Sequence, residues 1–441
     1  MDAEENRLLT ECGPGTPGGR VLRSYWQPAA LTEELGPEVA GDRPVVPVTL
    51  LGEELVLFRD QLGRIGLVSR WCPHRGVDLA YGRREEGGLR CPFHGWLFDV
   101  DGNCRETPAE PEGSTFHTRV RIGCYPVEER NGIIWAWLGG GEPPPLPGLD
   151  CFAAPATHVF AFKGMWASNW LQAHEVGIDP AHAAFLHRFF PPPDEASELA
   201  YGLQFRAMVA DTGIPVVKLM REVPAATITA ELTAYGFRLR ALRNYHGQFT
   251  HVRVSNCIFP NAIAIAMSPT MTIMQWHVPI DDVSCYWYSM FVSYTDPVDA
   301  ATLRSQRISQ VELPSYRPRT GAHDRWGYSA EEQATATYTG MGTDINVHDQ
   351  WAVESPGPIY DRTQEHLSPA DVGIRTHRRL FLAALRDPSP ATLVGTAEPA
   401  ALTGPAAIDA ATTGTDFDAA WRQAEGARRR ASPWPAPAIT D

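Results

Sequence analysis

The sequence predicts an α+β protein of two units, an all-β unit followed by one in which helices accompany an antiparallel sheet. Three observations carry that expectation. The chain has 441 residues, beyond the roughly 250–300 at which one hydrophobic core stops growing. From Pro44 to Trp137, β-rich runs such as VVPVTL, ELVLFRD and GIIWAWL alternate with Gly-centred turns. Beyond Cys151 the pattern becomes a helix-like segment, then long β-branched and aromatic runs, then helix again.

The stretch GGGEPPPLPG, residues 139–148, has no periodicity and combines flexible with stiff backbone, so the boundary is placed there. An N-terminal arm and β unit then occupy 1–148 and a second unit 149–386. The second unit opens with a helix-like segment from Asn169 to Phe189, closed by Pro191, Pro192 and Pro193, which cannot continue a helix. TITAELTAYGFRLRAL, THVRVSNCIF, MTIMQWHVPI and SCYWYSMFVSY read as an antiparallel sheet with one covered face. Helical character returns from Ser329 to Leu385. Residues 387–441, rich in Ala, Pro and Thr, read as a tail with one short helix, DFDAAWRQAEGARRR.

Composition is that of a soluble globular protein, with 44% hydrophobic and 20% charged residues. A net charge of −14 argues against nucleic-acid and anionic-membrane surfaces, which need clustered Lys and Arg. No apolar run approaches the ~20 residues of a membrane span. The start, MDAEENRLLTECGP, lacks the basic and apolar segments of a secretory signal, so a reducing, cytoplasmic setting is expected. There, paired Cys and His read as metal-binding.

Two such pairs stand out: Cys72-Pro-His74 and Cys91-Pro-Phe-His94, separated by 16 residues. A Rieske 2Fe-2S centre needs two thiolates on one iron and two imidazoles on the other, so each of two loops must present one Cys and one His. A mononuclear zinc site is the alternative, although zinc favours C-x2–4-C and H-x3–5-H pairing. The second constellation is Asp179-Pro-Ala-His182 followed by His187. Two neutral imidazoles and one carboxylate on one face of Fe(II) leave positions open for O2. Residues five apart lie about 140° round an ideal helix, so the two His share an ion only if the helix is distorted, for instance by a π-bulge. Asp179 before Pro180 also reads as a helix N-cap.

The segment CPHRGVDLAYGRREEGGLRCPFHGWLFDVDG, including Trp96 after His-Gly, resembles the Rieske domain of ring-hydroxylating oxygenases. Respiratory Rieske proteins carry an extra, disulfide-forming Cys in each loop, and Val77 and Phe93 stand at those positions. ENRLLTECGPGTPGGRVLRSYWQPAAL and NWLQAHEVGIDPAHAAFLHR are similar to phthalate 4,5-dioxygenase-like oxygenases, and the likeness runs from about residue 4 to 385. It implies an N-terminal all-β Rieske domain and a catalytic domain whose antiparallel sheet is covered by helices over the iron. It also implies homotrimers, sometimes stacked as hexamers, in which Asp179 links the iron site to a cluster His of the neighbouring chain.

The third iron ligand is expected in NVHDQWAVESPGPIYDRTQEHLSPADVGI, which resembles the closing helix of the family, with Asp349 at the ligand position. Asp344 and Glu354 are the alternatives. His174 departs from the family pattern and reads as a solvated helix residue; PPPDEASEL after His187 reads as a reshaped pocket entrance.

The implied activity is a terminal oxygenase fed by a separate NAD(P)H-dependent flavin and iron-sulfur reductase. Its outcome is cis-dihydroxylation, monohydroxylation or O-demethylation of an aromatic, carboxylate-bearing substrate. The chain has no Rossmann fingerprint with which to bind NADH itself. An anionic substrate would need an arginine, and the candidates are Arg238 and Arg240 on a strand and Arg188 beside His187, with Phe185, Trp276 and Met290 as apolar lining. The competing function is a Rieske electron carrier with a non-catalytic binding domain.

Overall fold

The computed structural model describes residues 1–190 and 214–440. The expected helix stop at Pro191–Pro193 and the PPPDEASEL entrance lie outside the described residues. Two compact units are present, one of Cys12–Pro144 with Pro279–Asp281, the other of Met1–Glu11, Pro145–Val278 and Asp282–Asp441.

The first unit is all-β. Strands Val45–Leu50, Glu53–Arg59, Ile65–Ser69 and Cys124–Tyr125 form one antiparallel sheet, and Arg83–Glu85, Gly88–Arg90, Leu97–Phe98 and Cys104–Glu106 a second. Val56, Phe58, Val68, Leu79, Leu89 and Phe98 make its core, which includes Cys72 and Cys91. The two cluster loops thus rest on packed apolar side chains.

In the second unit, Met1–Glu11 is not an arm of the β unit as expected. Its helix, Ala3–Thr10, is fastened by Asn6 Nδ2 donating to Tyr360 O at 3.1 Å and by an Arg386–Glu5 ion pair at 3.1 Å. Strands run in the order Val159–Trp166, Cys285–Ser293, Met271–Pro279, Ala262–Ser268, Phe249–Ile258, Gly236–Tyr245, Thr227–Thr233, all antiparallel along the paired registers. The single run TITAELTAYGFRLRAL is two strands of a hairpin. Gly236 permits the tight return: its φ is +149°, and a Cβ there would meet Cys257 O at 2.3 Å.

Residues 387–441 are not a tail. Strand Ile408–Thr412 pairs with Thr250–Val254, the part of strand Phe249–Ile258 that Ala262–Ala264 does not reach. Without it those backbone groups would form an open sheet edge. The helix Phe417–Ala431, legible in the sequence, then packs Trp421 on Val252, Val254 and Ile408. The opposite face carries Phe237, Leu239, Cys257 and Ile263 against Val372, Ile374 and Leu380 of helix Val372–Arg386. The sheet is therefore covered on both faces there, not one. The Ala- and Thr-rich strand was illegible because its partner lies some 150 residues away, and a short strand draws its stability from that partner.

Arg238 and Arg240 belong to this second covering. Arg238 is buried, its guanidinium 4.7 Å from the Trp421 ring centre, and Arg240 pairs with Asp418 of the same helix. Arg238 is buried and Arg240 half-buried, and neither lines the recess beside the iron site. His174 is likewise fully buried rather than solvated.

Asp409 fixes the added strand. Burial raises its carboxyl pKa, but Arg253 at 2.6 Å and His251 at 2.7 Å reverse this and bring it down to about 2. A depressed carboxylate stabilises above its unfolded pKa of ~3.9 and loses that contribution as pH falls toward its folded value. Asp409→Ala should cost roughly 3–5 kcal/mol at pH 7, since it strips the counter-charge from the buried Arg253. The gap to wild type should shrink between pH 4 and 2 in urea unfolding. Equal stability at pH 7 would contradict this account.

Candidate metal centres

In the first unit the two Cys/His loops are built alike. Cys72 N–H donates to Val77 O (2.9 Å) and Cys91 N–H to Trp96 O (2.8 Å); Gly76 and Gly95, both at positive φ, return N–H bonds to the two cysteine carbonyls. Each loop thus turns its Cys inward and leaves its His at the rim. The His74 and His94 ring centres are 4.5 Å apart, and Trp96 stacks on His74 at 4.3 Å. Burial, and then the adjacent Cys91, push the Cys72 thiol up to about 11. Buried thiols side by side stay protonated unless a metal takes them. His94 Nδ1 is buried with no hydrogen-bond partner. A lone pair left in that state fits a metal ligand. All eight cysteines are free, as expected for the branch lacking the loop disulfide.

In the second unit, helix Trp170–Gly177 stops before the second constellation. No π-bulge is involved. The helix is interrupted, and a 3₁₀ turn, His182–Ala184, follows. Pro180 cannot donate a helical N–H, and the residue before a proline is driven from the helical region. Asp179 Oδ1 accepts from Ala181 N at 2.8 Å, a cap-like bond.

The interruption brings the histidines together. His182 Nε2 lies 3.2 Å from His187 Nε2, and Asp349 Oδ1 is 3.2 Å from His187 Nε2 and 3.8 Å from His182 Nε2. Each Nε2 is left to accept a metal because each Nδ1 is engaged elsewhere. His182 Nδ1 donates to Asp179 O; His187 Nδ1 is 3.4 Å from His348 Nδ1, whose Nε2 donates to Gly342 O at 2.9 Å. Burial, then His187, lowers the His182 pKa, so this imidazole is neutral. The Asp349 carboxyl is held below its usual value by the two histidines despite burial. Its Oδ1 is buried without a hydrogen bond. Two imidazole nitrogens facing one carboxylate oxygen make a donor set suited to a divalent cation.

The alternatives for the third ligand have other partners. Asp344 caps helix Ile345–Glu354 and pairs with Arg307 at 3.0 Å, while Glu354 accepts from Ala167 N and Trp326 Nε1. Asp349, in mid-helix, is the acid of this segment that meets the histidines. His348, one residue before it, was missed; its only sequence signal was that adjacency.

A recess of 730 Å³ opens beside Asp179 and His182, with Phe185, Trp326, Tyr338 and Trp351 among its walls. His187 and Arg188 line a separate small cavity together with Val217, Met220 and Arg221. Trp276, packed near Phe152, and Met290 are buried and line neither space.

Residues 25–126 match the family model of the Rieske [2Fe-2S] domain, and residues 149–434 match the LigXa C-terminal domain like family. The chain is 32% identical to the phthalate 4,5-dioxygenase oxygenase subunit of Pseudomonas putida over 87% of its length and 86% of that protein's. This chain belongs to the Rieske oxygenases.

The oxygenase is also 33% identical to the 3-chlorobenzoate-3,4-dioxygenase oxygenase subunit of Comamonas testosteroni (87% and 88% covered). With the 5,5'-dehydrodivanillate O-demethylase oxygenase subunit of a Sphingobium strain it shares 32% identity (87% and 80% covered). Among solved structures, Pseudomonas putida CBB5 NdmB has the same fold, with a TM-score of 0.55 at 19% identity, covering 85% of this chain and 95% of that one. The family match reaches residue 434, well past the expected limit near 385, in accord with the strand and helix found there. A Rieske 2Fe-2S cluster and a mononuclear iron are the oxygenase's cofactors, and its relatives are enzymes, not electron carriers. Among the described residues no helix is long and apolar enough to cross a membrane.

His348→Leu should keep the cluster's visible absorption and lower affinity for the catalytic iron about 10–100-fold, the usual effect of losing a group that orients a metal-bound His. Chelator competition measures it. Unchanged iron affinity would show that His348 does not orient His187.

Proposed function

We propose that Cys72, His74, Cys91 and His94 hold the cluster, that His182, His187 and Asp349 hold the iron, and that the oxygenase hydroxylates or O-demethylates an aromatic carboxylate. Electrons would come from a separate NAD(P)H-dependent flavin and iron-sulfur reductase. The carrying observation is the convergence of two Nε2 atoms and Asp349 Oδ1 within 3.8 Å. When bound, the cluster supplies electrons singly and the iron supplies O2 activation. The chain's own part is to hold both imidazoles with Nε2 inward and to keep one carboxylate oxygen free for the metal.

Asp179 has a second task in this reading. Its backbone carbonyl orients His182, and its side chain lines the open recess. Phe185 and Tyr338 stand exposed there, as Trp71, Tyr81 and Phe93 do in the cluster unit. Exposed aromatics around both centres suit contact between chains, with Asp179 bridging His182 to a cluster His of the next subunit in a trimer or stacked hexamer. A carbazole 1,9a-dioxygenase oxygenase of the same fold (TM-score 0.52, 17% identity) was solved with a ferredoxin, which supports an external iron-sulfur donor.

The substrate reading rests on Arg188. With Arg238 and Arg240 occupied by the C-terminal helix, Arg188 is the candidate arginine that lies beside an iron-ligand His, and its Nε is buried without a hydrogen-bond partner. Two relatives are named for phthalate and chlorobenzoate, which are aromatic carboxylates.

Asp179→Asn retains a capping oxygen, so a cap alone would tolerate it. A bridge would not: single-turnover cluster oxidation should slow by orders of magnitude while both metal centres remain, and near-normal turnover would refute the bridge. For Arg188→Leu, KM for an aromatic carboxylate should rise by tens of fold, the equivalent of roughly 2–3 kcal/mol for a charge-assisted bond. Neutral analogues should be unaffected. An unchanged KM for the carboxylate would remove Arg188 as the anchor.

A further inference from the structure

Behind the iron site, three fully buried side chains from three elements converge: His174 of helix Trp170–Gly177, Cys257 of strand Phe249–Ile258 and His377 of helix Val372–Arg386. One ligand atom from each lies within 4.8 Å of the other two. Cys257 Sγ and His174 Nε2 are 3.4 Å apart. That matches the separation of two ligands on one ion, each roughly 2.0–2.3 Å from it.

The surroundings fix the tautomer of His377 as a metal site does. His377 Nε2 donates to Pro260 O at 2.7 Å, which leaves Nδ1 as the nitrogen with a lone pair. That Nδ1 is buried with no hydrogen-bond partner. His174 Nδ1 is 3.4 Å from His277 Nδ1, so His277 orients His174 from behind and leaves Nε2 toward the thiol. A ligating His whose other nitrogen is held by a carbonyl or a second side chain is the usual support for a metal. Burial lowers the pKa of His174, His277 and His377, so all three are neutral.

We propose that His174, Cys257 and His377 form a second metal site in the catalytic unit, built for a single Cu(I) ion held by two imidazoles and one thiolate. Charge and coordination number select the ion. Cu(I) with one thiolate is neutral, whereas a divalent ion would leave a net positive charge in a buried site. Structural zinc also takes four ligands, and three are present here; thiolate favours Cu(I) among softer ions. On binding, the Cys257 S–H bond breaks, an S–Cu bond forms and the proton passes to solvent, with no change of oxidation state. The ion would pin two helices to the sheet next to the iron site.

The test is anaerobic titration of the iron-loaded oxygenase with Cu(I) against a chromophoric Cu(I) chelator, with cluster absorbance recorded throughout. One equivalent should bind without loss of cluster colour, and the thermal midpoint should rise. Cys257→Ser should abolish this binding, and His277→Phe should weaken it about 10–100-fold. Copper-edge X-ray absorption on the wild-type protein, independent of any variant's folding, should show one sulfur and two nitrogen neighbours. Stoichiometric zinc binding at these residues with no Cu(I) binding would overturn the choice of ion. Binding of neither, or copper taken up only as the cluster bleaches, would overturn the site.

Discussion

The catalytic unit depends on a helix that stops. Continued past Gly177, it would set His182 and His187 about 140° apart and no single ion could take both. Gly177 packs so tightly that a Cβ there would meet Ile263 Cδ1 at 2.4 Å, and Pro180 can offer no helical N–H. The chain leaves the helix, makes one tight turn and returns two imidazoles 3.2 Å apart. Asp179 serves both the break and the chemistry, because its carboxylate caps Ala181 while its carbonyl takes the proton-bearing nitrogen of His182.

The rest of the unit holds that geometry in place. Helix Ile345–Glu354 delivers Asp349, and Gln172 Nε2 ties the two helices by donating to Val353 O at 2.8 Å. The His187–His348–Gly342 relay ends on backbone, so the tautomer of His187 is set by the fold itself. Behind them the sheet is sandwiched between helix Val372–Arg386 and the C-terminal segment.

Local chemistry was legible in the sequence and long-range pairing was not. The Cys/His pairs and the Asp-x2-His-x4-His pattern are short-range features whose spacing carries their chemistry, and the structure draws each group together. The alternation of Arg238 and Arg240 was read correctly as one face of a strand, but what covered that face lay some 180 residues away at Trp421 and Asp418. The strand around Asp409 was invisible for the same reason. His174 looked like a helix surface residue because burial by His277, Cys257 and His377 is a property of three other elements. The helix break was anticipated as a distortion, yet its form, an interruption at Asp179-Pro180, follows from proline chemistry that was on the page.

Whether one chain carries a cluster and a separate iron on the residues named is decided by iron and acid-labile sulfide analysis of wild type and of Asp349→Ala. Wild type should hold about three irons and two sulfides per chain, and the variant about two of each, with the cluster spectrum intact. Zinc without sulfide in the wild type, or loss of sulfide on replacing Asp349, would contradict this assignment.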